Sequence, residues 1–340
     1  MTPTPAPPTQ LSPIPDVWRD LLEIARWTPS PHNTQPWKLR VHDDLRADLF
    51  TVISRTLPDE DLTGCFIRCA MGMFIESLAI AAADRGQRLA VERSKSPPSP
   101  GLLPFAHLQL MPDPSITDDL KPADILDRRT SRLAPDAEPV ADDKLGVLSL
   151  IAARGDQSFF STSHPYQIAQ IMEANMAAVC NDLNEPRYHA EIASWFRFGR
   201  AHAERTRDGL DARCMNMTPI ELYLSAKFPR LFNWPFAGTA MRRHYARRIG
   251  PVHQLGFLSG PFFESEHAAP HAGRTLMRLW LHMHRLGIGI HPFGNLVTNP
   301  VAHARVTALT GRERIWLVFR LGRTARPPRS LRLPPEDLLC

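Results

Sequence analysis

Two apolar segments that each end at a glycine restrict the fold of this chain more than any other feature. Residues 66–85 hold Gly72 and Leu78 and stop at Gly86; a later segment holds Gly273 and Leu279 and stops at Gly287, at the same offsets of six and fourteen. Glycine commonly ends helices because it adopts the left-handed conformation at the cap without a Cβ penalty. The same glycine-ended apolar helix written twice points to two versions of one unit. At 340 residues, 43% hydrophobic and 22% charged, the chain has material for one large core or two ordinary ones.

The surrounding pattern is α+β. Residues 1–15 hold six prolines and read as a flexible arm. A helix over 17–27 is stopped by Pro29 and Pro31, strands follow at 37–41 and 49–53, and the long helix leads to strands at 89–91 and 106–110 around Pro97, Pro98, Pro100 and Pro104. A second run starts near Asp119 with a short helix, the basic stretch Arg128 to Arg132, a helix over 145–153 and a strand over 158–161. It is longer than the first by about seventy residues between its opening helix and its long helix. Residues 197–250 are rich in arginine and, with neighbouring Trp195 and Phe196, in aromatic side chains (Phe198, Phe228, Phe232, Trp234, Phe236), and read as helices covering something, a lid. The expected division is therefore 1–15 arm, 16–115 first half, and 116–340 second half with an insertion at about 197–250.

Charge and cysteine usage exclude several classes. The net charge is only +5, and five lysines leave arginine to supply nearly all the positive charge. Five cysteines at unrelated spacings argue against a secreted disulfide framework and for a reducing cytoplasm. No run approaches the ~18 uninterrupted apolar residues of a membrane span, the best candidate, 69–83, being interrupted by Glu76. His267 with His271, and His282 with His284, lack accompanying carboxylates or cysteines in a metal-binding spacing, so no metal is expected. Cys65 and Cys69 share a helical face and read as core. The pairs Arg242-Arg243 and Arg247-Arg248 read as a solvated helix face rather than a nucleic-acid patch.

The sharpest local feature is the stretch from Thr28 to Trp37, a helix end followed by a turn and a strand. Its prolines fix the backbone while Ser30 and Asn33 offer hydrogen-bonding groups suited to a planar heteroaromatic or a polyol. Taken alone, these residues read first as a plain helix-to-strand turn capped by Ser30 and Asn33, with ligand binding as the other reading.

The stretch Ala25-Arg26-Trp27-Thr28-Pro29-Ser30-Pro31-His32-Asn33-Thr34-Gln35-Pro36-Trp37 resembles the A-x-x-A-P-S-x-x-N-x-Q-P-W motif of the FMN-dependent nitroreductase superfamily, with Thr28 in place of the second alanine. Arg128-Arg129-Thr130-Ser131-Arg132 resembles the family's R-R-S-x-R stretch, whose guanidinium groups hold the flavin phosphate by paired charge-assisted hydrogen bonds. His291-Pro292-Phe293-Gly294 is similar to the P-x-G turn near the flavin ring, and Leu321-Gly322-Arg323 with Arg329 and Arg332 to the closing stretch. The resemblance implies cofactor contacts from Pro29, Ser30, Pro31, Asn33, Gln35, Arg128, Arg129, Thr130, Arg132, Pro292, Phe293, Gly294, Arg329 and Arg332. It assigns no catalytic side chain.

Motif order carries a further implication. In ordinary members the arginine stretch precedes the P-S-x-x-N stretch, and each flavin lies between two subunits. Here the first half has the turn and the second half the arginines, which resembles the Acg-type branch, a fused pseudo-dimer with one flavin site and an inserted lid. The implied fold is nitroreductase-like: two related halves, each a mixed, mainly antiparallel sheet flanked by helices. The implied activity is NAD(P)H-dependent, ping-pong reduction of a small organic acceptor by bound FMN. The alternatives are a flavin-storage protein whose lid blocks nicotinamide and, more remotely, a specialised flavin-dependent oxidase. A monomeric pseudo-dimer or a homodimer is expected, with neither nucleic acid nor membrane as partner.

Overall fold

The computed structural model describes residues 15–94, 96–229 and 237–340. Most of the proline-rich arm, together with Phe232, Trp234 and Phe236, lies outside them. The first half runs α1 (Asp16–Ala25), β1 (Trp37–Val41), β2 (Arg46–Val52), α2 (Cys65–Ala83), β3 (Gln87–Arg93) and β4 (Leu102–Pro112), its strands pairing antiparallel in the order β1-β2-β4-β3. After α3 (Pro122–Asp127), the second half repeats the plan: α4 (Asp142–Ala153), β5 (Ser158–Thr162), then, beyond intervening elements, β8 (Leu255–Ser259), α10 (Ala268–Arg285), β9 (Gly289–Pro292) and β10 (Ile315–Gly322). Its order is β5-β8-β10-β9, again antiparallel throughout. Both sheets therefore place strand, strand, helix, strand, strand with the fourth strand inserted beside the second. Among the described residues, parallel pairing occurs at the bridges of Leu39 with Leu339 and Thr130 with Ile290, and in a separate two-stranded sheet of residues Phe196–Arg197 and Leu210–Asp211.

The elements that differ are insertions. In the first half β1 and β2 join by a tight turn. In the second, β5 and β8 are separated by α5 (Pro165–Asn184), α6 (Pro186–Ser194), β6 (Phe196–Arg197), α7 (Arg200–Thr206), β7 (Leu210–Asp211), α8 (Pro219–Lys227) and α9 (Ala237–Ile249). The extra material therefore begins at α5, upstream of the 197–250 segment expected from the sequence. Within it, Phe196, Leu210, Ala212, Leu222 and Ala226 form a small core of their own. Two further helices, α11 (Asn295–Thr298) and α12 (Pro300–Thr310), lie between β9 and β10.

Helices α2 and α10 join the halves. α2 is apolar all round, with fifteen of its nineteen residues buried, as expected of a helix enclosed on every side. Beginning at Cys65, four residues before the 69–83 run considered above, it is long and apolar enough to cross a membrane, yet 83% of the relevant window is buried inside the protein. A Cβ on Gly72 would lie 2.0 Å from the Pro270 carbonyl oxygen, and one on Gly273 would lie 2.1 Å from that of Cys69. A shift of 201 positions carries Gly72 onto Gly273 and Cys69 onto Pro270. The contact is thus reciprocal, residue i on j and j on i, the signature of a two-fold interface. Flanking it, the buried Glu76 of α2 accepts from Arg274 Nε (2.7 Å) and Arg278 Nη1 (2.8 Å) of α10.

Candidate functional site

The turn between α1 and β1 is strained and firmly held. His32, Asn33 and Gln35 adopt left-handed φ values of 46°, 57° and 53°, which non-glycine residues keep only when their surroundings over-determine them. Ser30 Oγ accepts the Gln35 N–H (2.9 Å), and Arg55 Nη1 donates to the Thr34 carbonyl (2.7 Å). Asn33 Nδ2 donates to the carbonyls of Gly209 (3.2 Å) and Leu331 (3.1 Å). Gln35 Nε2 donates to the Arg207 carbonyl (3.0 Å) and Gln35 Oε1 accepts the Leu333 N–H (2.8 Å). Gln35 is fully buried and both of its amide atoms are engaged by protein, so its structural role is to tie the turn to the insertion and to the C-terminal segment. Asn33 shares that role but keeps Oδ1 without a partner.

Against this turn stands a group of arginines from the other half. Arg128, 5% exposed, donates from Nη2 to the Trp27 carbonyl (3.2 Å) and stacks 4.6 Å from the Trp280 ring centroid, leaving Nε and Nη1 buried and unpartnered. Arg332 donates to the Thr28 carbonyl (3.4 Å), and the Arg329 guanidinium lies over the Trp27 ring. Arg129, Arg132 and Arg329 also carry buried guanidinium nitrogens without partners. Among the described residues none of these five arginines forms an ion pair. Burial, then the neighbouring Arg332, Arg129 and Arg329 charges, lower the Arg128 pKa to about 9. Burial is likewise the main cause that takes Arg329 and Arg332 to about 10. All remain protonated at neutral pH. Buried, mutually repelling cations with free N–H groups are costly alone and suited to a multivalent anion such as a phosphate ester.

The two halves also share a cavity of about 370 Å³. Pro29, Ser30 and Pro31 of the turn, Thr130 and Arg132 of the arginine stretch, and Pro292, Phe293 and Gly294 all line it. Met73 of α2 and Trp280 of α10 form its floor, and Phe196, Leu210 and Leu222 reach it from the insertion. Arg128 adjoins the cavity through its stacking on Trp280; Arg129, Arg329, Arg332, Asn33 and Gln35 are not among the lining residues. The Phe293 N–H is already bonded to the Val318 carbonyl (2.8 Å), which leaves Gly294 as the free turn position. A Cβ on Gly294 would meet no protein atom within 4 Å, so the backbone here faces open space rather than packed side chains.

Several residues of the site escaped the sequence reading. His32 faces the cavity and pairs through Nε2 with the Glu60 carboxylate. Burial alone would lower the His32 pKa, but the Glu60 charge and hydrogen bond outweigh it, and the net shift is upward. His291 is the reverse: burial, then Arg132 and Arg320, push its pKa well down and keep the ring neutral. Asn175 and Asp182 reach the cavity from α5. His32 and His291 lie inside the quoted motifs and could have been found there; nothing in local sequence marks Glu60, Asn175 or Asp182. The sequence candidates for metal binding stay apart, and among the described residues no group of three or more His, Cys, Asp or Glu side chains is arranged to hold a metal ion.

No family model matches the chain. Its sequence is 30% identical over 187 residues to a Mycobacterium tuberculosis protein provisionally named NAD(P)H nitroreductase acg, covering 53% of this chain and 54% of that one. It is 29% identical over 178 residues to a second protein of that organism, provisionally named NAD(P)H nitroreductase Rv3131, covering 52% and 50%. The chain thus spans about half the length of the curated relatives it matches. Solved structures with some likeness include a nitroreductase with bound FMN from Bacteroides fragilis (15% identity, 62% of this chain and 90% of that one, TM-score 0.35). Another is the FMN-dependent nitroreductase NfnB from Mycobacterium smegmatis in complex with NADPH (16%, 58% and 84%, TM-score 0.34). TM-scores this low leave the sequence matches to carry the relationship. On those matches the chain is similar, over about half its length, to proteins provisionally named NAD(P)H nitroreductases.

Proposed function

We propose that the chain is an FMN-dependent oxidoreductase that uses NAD(P)H to reduce a small organic acceptor, and that it is a fused pseudo-dimer, about 16–115 and 116–340, with one flavin site. The observation that carries the reading is the set of buried, unpaired arginine nitrogens beside a cavity walled by both halves. Arg128, Arg129, Arg132, Arg329 and Arg332 would hold the phosphate. Ser30, Thr130 and the free Asn33 Oδ1 suit the ribityl hydroxyls, while Pro29, Pro31 and the Pro292-Phe293-Gly294 turn would border the ring. Gln35 supports the turn from behind.

When bound, FMN supplies the hydride chemistry. The chain's own residues bind, orient and exclude water. Glu60 engages His32 Nε2 and raises its pKa, so the His32–Glu60 pair would serve as a proton reserve on the cavity wall for a reduced acceptor. The insertion closes the cavity with apolar side chains and so acts as the lid.

The counterpart position in the fold supports a single site. The shift of 201 positions carries the cavity residues Cys69, Ala70 and Met73 onto Pro270, His271 and Arg274, which line a separate, open groove. There Arg274 is already paired with Glu76. The connection from α4 to β5 is only Arg154-Gly155-Asp156-Gln157, and a Cβ on Gly155 would collide with Thr275 at 1.9 Å. That connection is too short to form a cofactor-binding turn.

Anaerobic addition of NADH or NADPH to the flavin-loaded protein tests the activity: the visible flavin absorbance should bleach and return when a quinone or nitroaromatic acceptor is added. Flavin that stays oxidised refutes the reductase and favours storage beneath a lid that excludes nicotinamide.

A further inference from the structure

The side of the cavity formed by α5 has a chemistry that the flavin reading does not use. Asn175, Val179, Asp182 and Leu183 all line it. Their spacing of four, three and one residues puts them on one face of the helix, an amide and a carboxylate separated by apolar side chains. Asp182 is 7% exposed and Asn175 1%. The Asp182 carboxylate accepts only from neutral amides: Asn295 Nδ2 at 2.5 Å, Asn299 Nδ2 at 3.3 Å and Asn181 Nδ2 at 3.4 Å. Among the described residues no cation pairs with it. Asn175 Oδ1 is buried without any partner. Glu60, whose charge acts on Asp182, adds to the negative character of this side, and its own cation, His32, is already engaged.

A buried carboxylate without a counter-cation is expensive, and a buried amide oxygen without a donor adds to the cost. Both costs would be met by a ligand bringing a positively charged N–H donor. Ile192, Phe196 and Leu222, which come from the insertion as α5 does, give the same cavity apolar walls. We propose that this side of the cavity admits an apolar, aromatic molecule bearing a protonated amine, with Asp182 as its counter-charge and Asn175 as a second polar contact. That this molecule is the electron acceptor rests on the flavin reading; selection for the cation does not.

Calorimetric titration of the purified full chain with three probes of one ring system tests the inference: 1-naphthylmethylamine, 1-naphthalenemethanol and 1-naphthoate, which are cationic, neutral and anionic at pH 7. The amine should bind at least about tenfold more tightly than the alcohol; the naphthoate reports any separate anion binding at the unpartnered arginines. In Asp182→Asn the preference for the amine should shrink to about twofold or less, with flavin content and circular dichroism unchanged. Equal affinity of the wild-type protein for amine and alcohol overturns the proposal, whether or not the variant folds, and so does an Asp182→Asn variant that keeps the preference. A colourless preparation would count against the flavin reading and leave this test intact, because the heat of binding needs no flavin.

Discussion

Replacing Arg128 by methionine should make the ligand-free protein more stable and the flavin-loaded protein less so. Folding lowers the Arg128 pKa to about 9, burial first and the neighbouring arginine charges after it. At about 1.4 kcal/mol for each tenfold change, that corresponds to a cost of about 5 kcal/mol. Since the charged form is the acid and the folded pKa is the lower one, the cost is fully present at pH 7 and fades only as the pH rises beyond about 9. Two contacts offset it. The hydrogen bond from Nη2 to the Trp27 carbonyl is 3.2 Å long, and a charged donor of this kind contributes about 2 kcal/mol. Stacking on Trp280 at 4.6 Å contributes about 2 kcal/mol when desolvated. Methionine keeps apolar contact without the charge, for a net gain of about 1 kcal/mol in the ligand-free protein. FMN at about 100 times its Kd stabilises the wild type by about 2.7 kcal/mol, which the variant forgoes, so the order reverses by about 2 kcal/mol. Urea denaturation with and without FMN at pH 7 reads both differences. A variant less stable than wild type without flavin, or stabilised by flavin as much as wild type is, refutes the reasoning.

Two other expectations concern the fold. Gly273→Ala should destabilise by about 3 kcal/mol or more, because the new Cβ would lie 2.1 Å from the Cys69 carbonyl oxygen and force α2 and α10 apart; Gly294→Ala, facing open space, should leave the urea midpoint within error. Asp48 lies on the first sheet, where burial would raise its pKa but His107, Ser96 and His42 together hold it at about 2. Its folded pKa being depressed, it contributes stability above pH 3.8 that is lost as the pH falls towards 2, about 2 kcal/mol in all. Asp48→Asn should flatten that part of the acid-denaturation curve, and an unchanged curve would remove the His–Asp–His contacts from the account.

The repeat was legible because its cause is local in sequence. Gly72 and Gly273 are needed where two backbones touch, and the apolar helices around them leave a plain hydropathy signal. The turn and the arginine stretch were legible as motifs, and both converge on one cavity. Their division of labour was not: Asn33 and Gln35 look like ligand-facing amides in sequence, yet the left-handed backbone turns them towards Gly209, Leu331 and Leu333, partners far along the chain. The insertion was underestimated for a similar reason. α5 has an ordinary amphipathic pattern, and only the pairing of β5 with β8 shows that it lies between two adjacent strands. Asp182 and Asn175 gain their meaning from the cavity they face, which no local pattern announces.

Flavin extracted from the purified protein, identified by mass spectrometry and counted against protein concentration, bears most directly on the central claim. One FMN per chain in the wild type, absent from the double variant Arg128→Ala, Arg132→Ala, is the expected result. A colourless protein that takes up no FMN would contradict the cofactor, and two FMN per chain would contradict the single site shared by the two halves.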